Sequence, residues 1–181
     1  MTVYKITTAS NDHQRLVAED DAIWKHVRFD CSPRKDWIPP KVRIFDPTKP
    51  KGDFLSFASG SLTVRSEKLE LVRSSFEMAG ETLLLDGQNE RYWCLNILTC
   101  VNCVDEEASE WLIDPKSGKR ITLKKPVFRR GFLATSSIFK VPQQPGSVYV
   151  WDDENEGFFF EYQSNKMTGL RFDPIALVDP T

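Results

Sequence analysis

The longest apolar run in the chain is Arg91 to Val104, RYWCLNILTCVNCV. Taken with period two, Trp93, Leu95, Ile97 and Val101 fall on one face. Tyr92, Cys94, Leu98 and Cys100 fall on the other. Both faces are mostly apolar, the pattern of a strand covered on both sides, whereas an amphipathic helix would show a polar face. Asn96 and Asn102 interrupt the run, and it is too short to span a membrane. The pattern predicts a central strand over Tyr92 to Val101, paired with a strand at Thr82 to Leu85 through the turn cluster Asp86-Gly87-Gln88-Asn89.

A helical stripe of Leu69, Val72 and Phe76 predicts a helix from Glu67 to Ala79. Ser66 is its expected N-cap and Gly80 its left-handed stop. Phe158, Phe159 and Tyr162 predict a second helix, capped by Asp152 or Asp153 and ended by Asn165 or Gly169. Short strands are expected at Val3 to Ile6, Val42 to Phe45, Ile138 to Val141, Val148 to Trp151, Leu170 to Phe172 and Ile175 to Leu177. A hairpin is expected from Glu110 to Ile113 and Arg120 to Leu123 around Asp114-Pro115-Lys116-Ser117-Gly118-Lys119. Prolines 39, 40, 47 and 50 make Trp37 to Pro50 an extended or edge segment. Gly52 to Ser61 reads as a loop or short extended stretch that buries Phe54, Leu55 and Phe57. Residues 9 to 36 have poor periodicity, although Asp20 and Asp21 suit a short helix start. Residues 124 to 137 read as basic and irregular. Hairpins with two inserted helices and no βαβ alternation predict an α+β fold, one domain over residues 1 to 181 with a mainly antiparallel sheet.

Composition narrows the function classes. The chain has 181 residues, 40% of them hydrophobic and 28% charged, with a formal net charge of -2. That balance argues against a general nucleic-acid or membrane-surface binder. MTVYKITTAS lacks the apolar stretch of a signal peptide. A cytoplasmic protein with four reduced cysteines is expected.

Candidate chemistry is sparse. Cys100-Val101-Asn102-Cys103 is a CxxC, but a regular strand sends residues three apart to opposite faces. No second CxxC is present, and His13 and His26 are distant in sequence. The plainer reading is buried core cysteines without metal. Neither histidine sits in an acid–base motif, and no nucleophile elbow, zincin, Walker or dinucleotide motif is present. No cofactor and no catalytic residue is assigned.

Charge patterning says more. Asp105, Glu106, Glu107, Glu110 and Asp114 form one acidic block. Asp152, Asp153, Glu154, Glu156 and Glu161 form another. Between them lie Lys116, Lys119, Arg120, Lys124, Lys125, Arg129 and Arg130. Such blocks either form a solvated, ion-paired surface or dock a partner by charge.

The order of short phrases resembles a bacterial toxin-immunity family, long listed as a domain of unknown function and typified by a myxobacterial immunity protein. The phrases are Tyr4 in the opening strand, Gly52-Asp53-Phe54-Leu55-Ser56, and Val64-Arg65-Ser66-Glu67-Lys68. Tyr92, Leu95-Asn96, Cys103-Val104-Asp105, Ile138-Phe139-Lys140 and Thr168-Gly169-Leu170-Arg171-Phe172 follow. The resemblance covers about residues 50 to 175, most of the chain. The resemblance implies a cytoplasmic, non-enzymatic protein that binds one cognate toxin of a type VI or contact-dependent system. It implies no toxin-binding residues. From charge, the expected partner-binding residues are Asp152, Asp153, Glu154 and Glu156, with Asp105, Glu106, Glu107 and Glu110 second. A basic nuclease site is the expected target. The competing reading is a small hydrolase or nucleic-acid-processing enzyme using a carboxylate cluster, and a third is a nucleic-acid binder around Lys124 to Arg130. A homodimer stays open.

Overall fold

The structure, a computed structural model, describes residues 1–25, 27–153 and 155–179. It is mostly sheet with few helices. Its first strands are β1 (Val3–Thr8), β2 (Leu16–Ala18), β3 (Lys41–Ile44), β4 (Phe54–Leu55) and β5 (Ser61–Arg65). Helix α1 (Arg73–Ala79) and strands β6 (Gly80–Gly87) and β7 (Arg91–Ile97) follow. Then come β8 (Glu110–Ile113), β9 (Arg120–Lys125), β10 (Val127–Arg129), β11 (Ile138–Phe139) and β12 (Val148–Trp151). Helix α2 (Gly157–Ser164) precedes the last strand, β13 (Leu170–Val178). One sheet runs β10-β13-β1-β12-β11 and a second runs β2-β3-β6-β7-β5-β4. β8 and β9 form a separate hairpin. Pairing is antiparallel except at β10 with β13 and β3 with β6.

β7 is interior, with Leu95 opposite Leu62 on one side and Thr82 on the other. Its two apolar faces go to different cores. Leu95 and Ile97 join Phe54, Val64, Phe76, Val150 and Phe158 between the sheets, where α1 and α2 also pack. Tyr92 and Cys94 join Leu16, Val42 and Leu85 on the opposite face. A third core lies under the hairpin, where Leu123 and Trp111 cover Phe128, Phe139 and Tyr149.

The expected strand over Tyr92 to Val101 stops at Ile97. The Leu98 and Thr99 amides both donate to Ala79 O at 3.0 Å, turning the chain away. It then meets Lys140 at an isolated parallel bridge from Cys100. The expected helix from Glu67 is a 3-10 segment, Ser66–Leu71, followed by α1. Leu69, Val72 and Phe76 are buried as expected. Ser66 caps nothing, and its hydroxyl is buried without a partner among the described residues. Gly80 is not left-handed. Its φ is 172°, and it opens β6. A Cβ there would sit 2.1 Å from Asn96 O, so close approach of β7 is what requires glycine.

Other differences are local. Asp20 accepts from the Ala22 amide at 2.8 Å and starts a 3-10 turn over Asp21–Lys25. The basic stretch 124 to 137 contains the end of β9, β10 and a 3-10 turn at Arg130–Phe132. Phe57 is only half-buried. The last two expected strands are one, β13.

Candidate functional site

The first acidic segment leaves the end of β12 beside the start of β1. The Asp152 amide donates to Thr2 O at 2.9 Å, and Asp152 Oδ1 accepts from the Thr2 amide at 2.6 Å. Tyr4 Oη donates to Asp152 Oδ2 at 3.4 Å. Burial, then the Asp152 charge, holds the Tyr4 phenol above its ordinary pKa. Tyr4 also stacks on Phe159 of α2, with ring centroids 4.7 Å apart. Asp152 is thus fixed between strand and helix.

Neither Asp152 nor Asp153 caps α2, contrary to expectation. Glu156 occupies the cap position without a side-chain bond, and Ser137 Oγ accepts from the Phe158 amide at 3.0 Å instead. A hydroxyl from a distant loop does the capping, so the carboxylates are not consumed by it. Asp153 and Glu156 are exposed and have no ion pair among the described residues. Glu154 lies outside the described residues. Asp152 and Asp153 face a cleft of about 520 Å³ shared with Met1, Thr2, Asn155, Phe159 and Phe160. Carboxylates beside the exposed Phe160 ring suit a cationic side chain, through charge and the ring face together.

The second acidic segment is more occupied. Asp105 Oδ1 accepts from the Glu107 and Ala108 amides at 3.1 and 2.9 Å, which folds the turn. Glu106 pairs with Arg120 at 2.7 Å, and Glu110 with Lys124 at 2.7 Å and Lys125 at 2.9 Å. Hydrogen bonds from Lys124 and then Lys125 pull the Glu110 pKa down to about 2. Glu107 is exposed and outside these pairs. Three of the seven basic residues, Arg120, Lys124 and Lys125, are therefore paired with this acidic block, and Arg130 pairs with Asp179 at 3.0 Å.

The two segments share one end of the five-stranded sheet. Val127 pairs with Ala176, Val3 lies between Ile175 and Trp151, and the Asp105 amide donates to Val127 O at 2.8 Å. Three strand spacings, about 14 Å, separate β10 from β12 along this row. That is within the reach of a single protein partner.

The other sequence candidates are dispersed. Cys103 is buried and Cys100 exposed, and neither lies in a regular strand, so the opposite-face argument does not apply to them. Burial pushes the Cys103 thiol up to about 11. Among the described residues no three His, Cys, Asp or Glu side chains gather as a metal site. His13 is half-buried against Gly52, and His26 lies outside the described residues. No helix among the described residues is long and apolar enough to cross a membrane. Two buried cations went unread in the sequence. Lys140 donates to Phe29 O at 2.5 Å, and Arg65 is described below. Both lie in phrases that carry the family resemblance, Ile138-Phe139-Lys140 and Val64-Arg65-Ser66-Glu67-Lys68, but hydrophobic periodicity gives no signal that either side chain is buried.

The described residues thus form a sheet-rich fold with two acidic segments at one end of its five-stranded sheet. The model of an immunity protein family, Imm11, matches residues 79–177, more than half of the chain, and the chain belongs to that family. The match begins where α1 passes into β6 and runs to the end of β13. Tyr92, Leu95-Asn96, Cys103-Val104-Asp105, Ile138-Phe139-Lys140 and Thr168 to Phe172 lie inside it, and the phrases around Phe54 and Ser66 lie before it. No curated protein matches the chain.

Proposed function

We propose that this protein neutralises a secreted bacterial toxin by binding it stoichiometrically in the cytoplasm, without turnover. The single observation that carries the reading is membership of an immunity family. In this reading the chain is one α+β immunity domain over residues 1 to 181. Its partner is the cognate toxin of a type VI or contact-dependent system, with a nuclease as the favoured kind. A nuclease site must attract phosphates, so its rim is positive, and carboxylates can occupy that rim in place of substrate. Asp152, Asp153, Glu154 and Glu156 form the favoured contact. Support comes from the exposure of Asp153 and Glu156, which have no ion pair among the described residues, and from the fixed setting of Asp152. Asp105, Glu106, Glu107 and Glu110 stand second, since Arg120, Lys124 and Lys125 already neutralise part of that block.

The test is co-expression with a toxin encoded by the adjacent gene. Growth restored by the wild-type chain is the expected result. Failure of the chain to protect against or bind any neighbouring toxin contradicts the reading.

A further inference from the structure

On the six-stranded sheet, away from the acidic cleft, β3, β5 and the β6–β7 turn enclose a cavity of about 460 Å³. That is the size of a small-molecule site. Arg43, Lys51 and Arg65 line it, and Glu90 is its one acidic wall. Three cations against one carboxylate leave a local charge of +2, on a chain whose net charge is -2.

Arg65 is only 2% exposed, and its partners hold it in place. Its Nε donates to Gly52 O at 2.8 Å and Nη2 to Gln14 Oε1 at 2.9 Å, while Nη1 pairs with Glu90. Glu90 also accepts from Tyr92 Oη at 3.0 Å, and the guanidinium lies 5.6 Å from the Tyr92 ring centroid. A guanidinium has five N–H donors, and these contacts take three, leaving one on each terminal nitrogen. Arg43 and Lys51 are exposed and have no ion pair among the described residues. An adjoining recess carries Glu19, Lys41 and Asp86, a local charge of -1, so the positive charge is confined to the larger cavity.

We propose that this cavity binds a small organic phosphate, with Arg65 as the fixed donor at its wall and Arg43 and Lys51 closing on the phosphate from the rim. The charge decides between anions. A local +2 matches a phosphate monoester dianion and exceeds what one carboxylate neutralises. Ile44, half-buried at the cavity, offers apolar surface to the organic part. The site is independent of the toxin reading, because it shares no residue with the acidic segments.

The probe is phenyl phosphate, titrated calorimetrically into the full chain at low salt, with phenol and benzoate as neutral and monoanionic controls. Saturable binding of phenyl phosphate, about ten-fold or more tighter than benzoate, is expected. The exposed pair Arg43→Ala and Lys51→Ala, combined, is expected to abolish it with the melting temperature unchanged. No saturation up to about 10 mM overturns the proposal. So does equal binding of benzoate, the mark of a partner's carboxylate as the natural occupant. Undiminished binding in the double variant also overturns it.

Discussion

Glu161 shows how one side chain of α2 sets a pH dependence. Its Oε2 is buried without a partner among the described residues, and burial raises its pKa above the ordinary carboxylate range, against a smaller lowering by a hydrogen bond with Ser75. The folded state therefore holds the proton more tightly than the unfolded chain. Protonated in both states at low pH, the group costs nothing there. The cost grows as pH rises through the unfolded value and is complete above the folded one. Glu161→Gln is expected to raise the melting temperature at neutral pH, with the gain shrinking toward about pH 4. A gain independent of pH would place the effect elsewhere. Sequence gave no hint of this, because Glu161 reads as one more charge in an acidic block. The same block hid the difference between Asp152, bound to Thr2, and Asp153, exposed at the surface.

At the scale of elements, the sequence is legible where burial is continuous and silent where long-range pairing decides. The double apolar face of β7 is written in Tyr92 to Ile97. Ile97→Asp places a carboxylate at a fully buried position and is expected to unfold the domain, since such burial costs several kcal/mol, on the order of the whole stability. An unchanged melting temperature would contradict the interior placement of β7. The Leu69, Val72, Phe76 stripe survived the change from α to 3-10 because a spacing of three also keeps one face in a 3-10 turn. β10 left no trace, since Val127 to Arg129 becomes a strand only by parallel pairing with β13 some fifty residues on. Gly169 is the sharpest single point. Its φ is +100°, and a Cβ would sit 2.1 Å from Phe54 O. The Phe54 amide donates to Thr168 O at 3.0 Å, so β4 presses directly on the start of β13. Gly169→Ala is expected to cost more than about 2 kcal/mol in urea unfolding, by strain and by displacing β4. A cost within a few tenths would show that the junction yields.

For the whole molecule, the charge blocks were legible as sequence but their roles were not. Folding pairs Glu106 and Glu110 with the basic hairpin and leaves Asp153 and Glu156 unpaired among the described residues, a sorting that no linear pattern encodes. The family membership was legible through phrases that lie in β7, around β11 and at the turn into β13, all fold-forming positions. The claim that the molecule acts by binding a toxin through the β12–α2 edge is tested most directly by calorimetric titration of the cognate toxin into wild type and into the double reversal Asp153→Lys, Glu156→Lys. The account predicts one-to-one binding that weakens with salt, and at least about a hundred-fold loss in the double variant with its melting temperature unchanged. Full affinity in a folded double variant would contradict it.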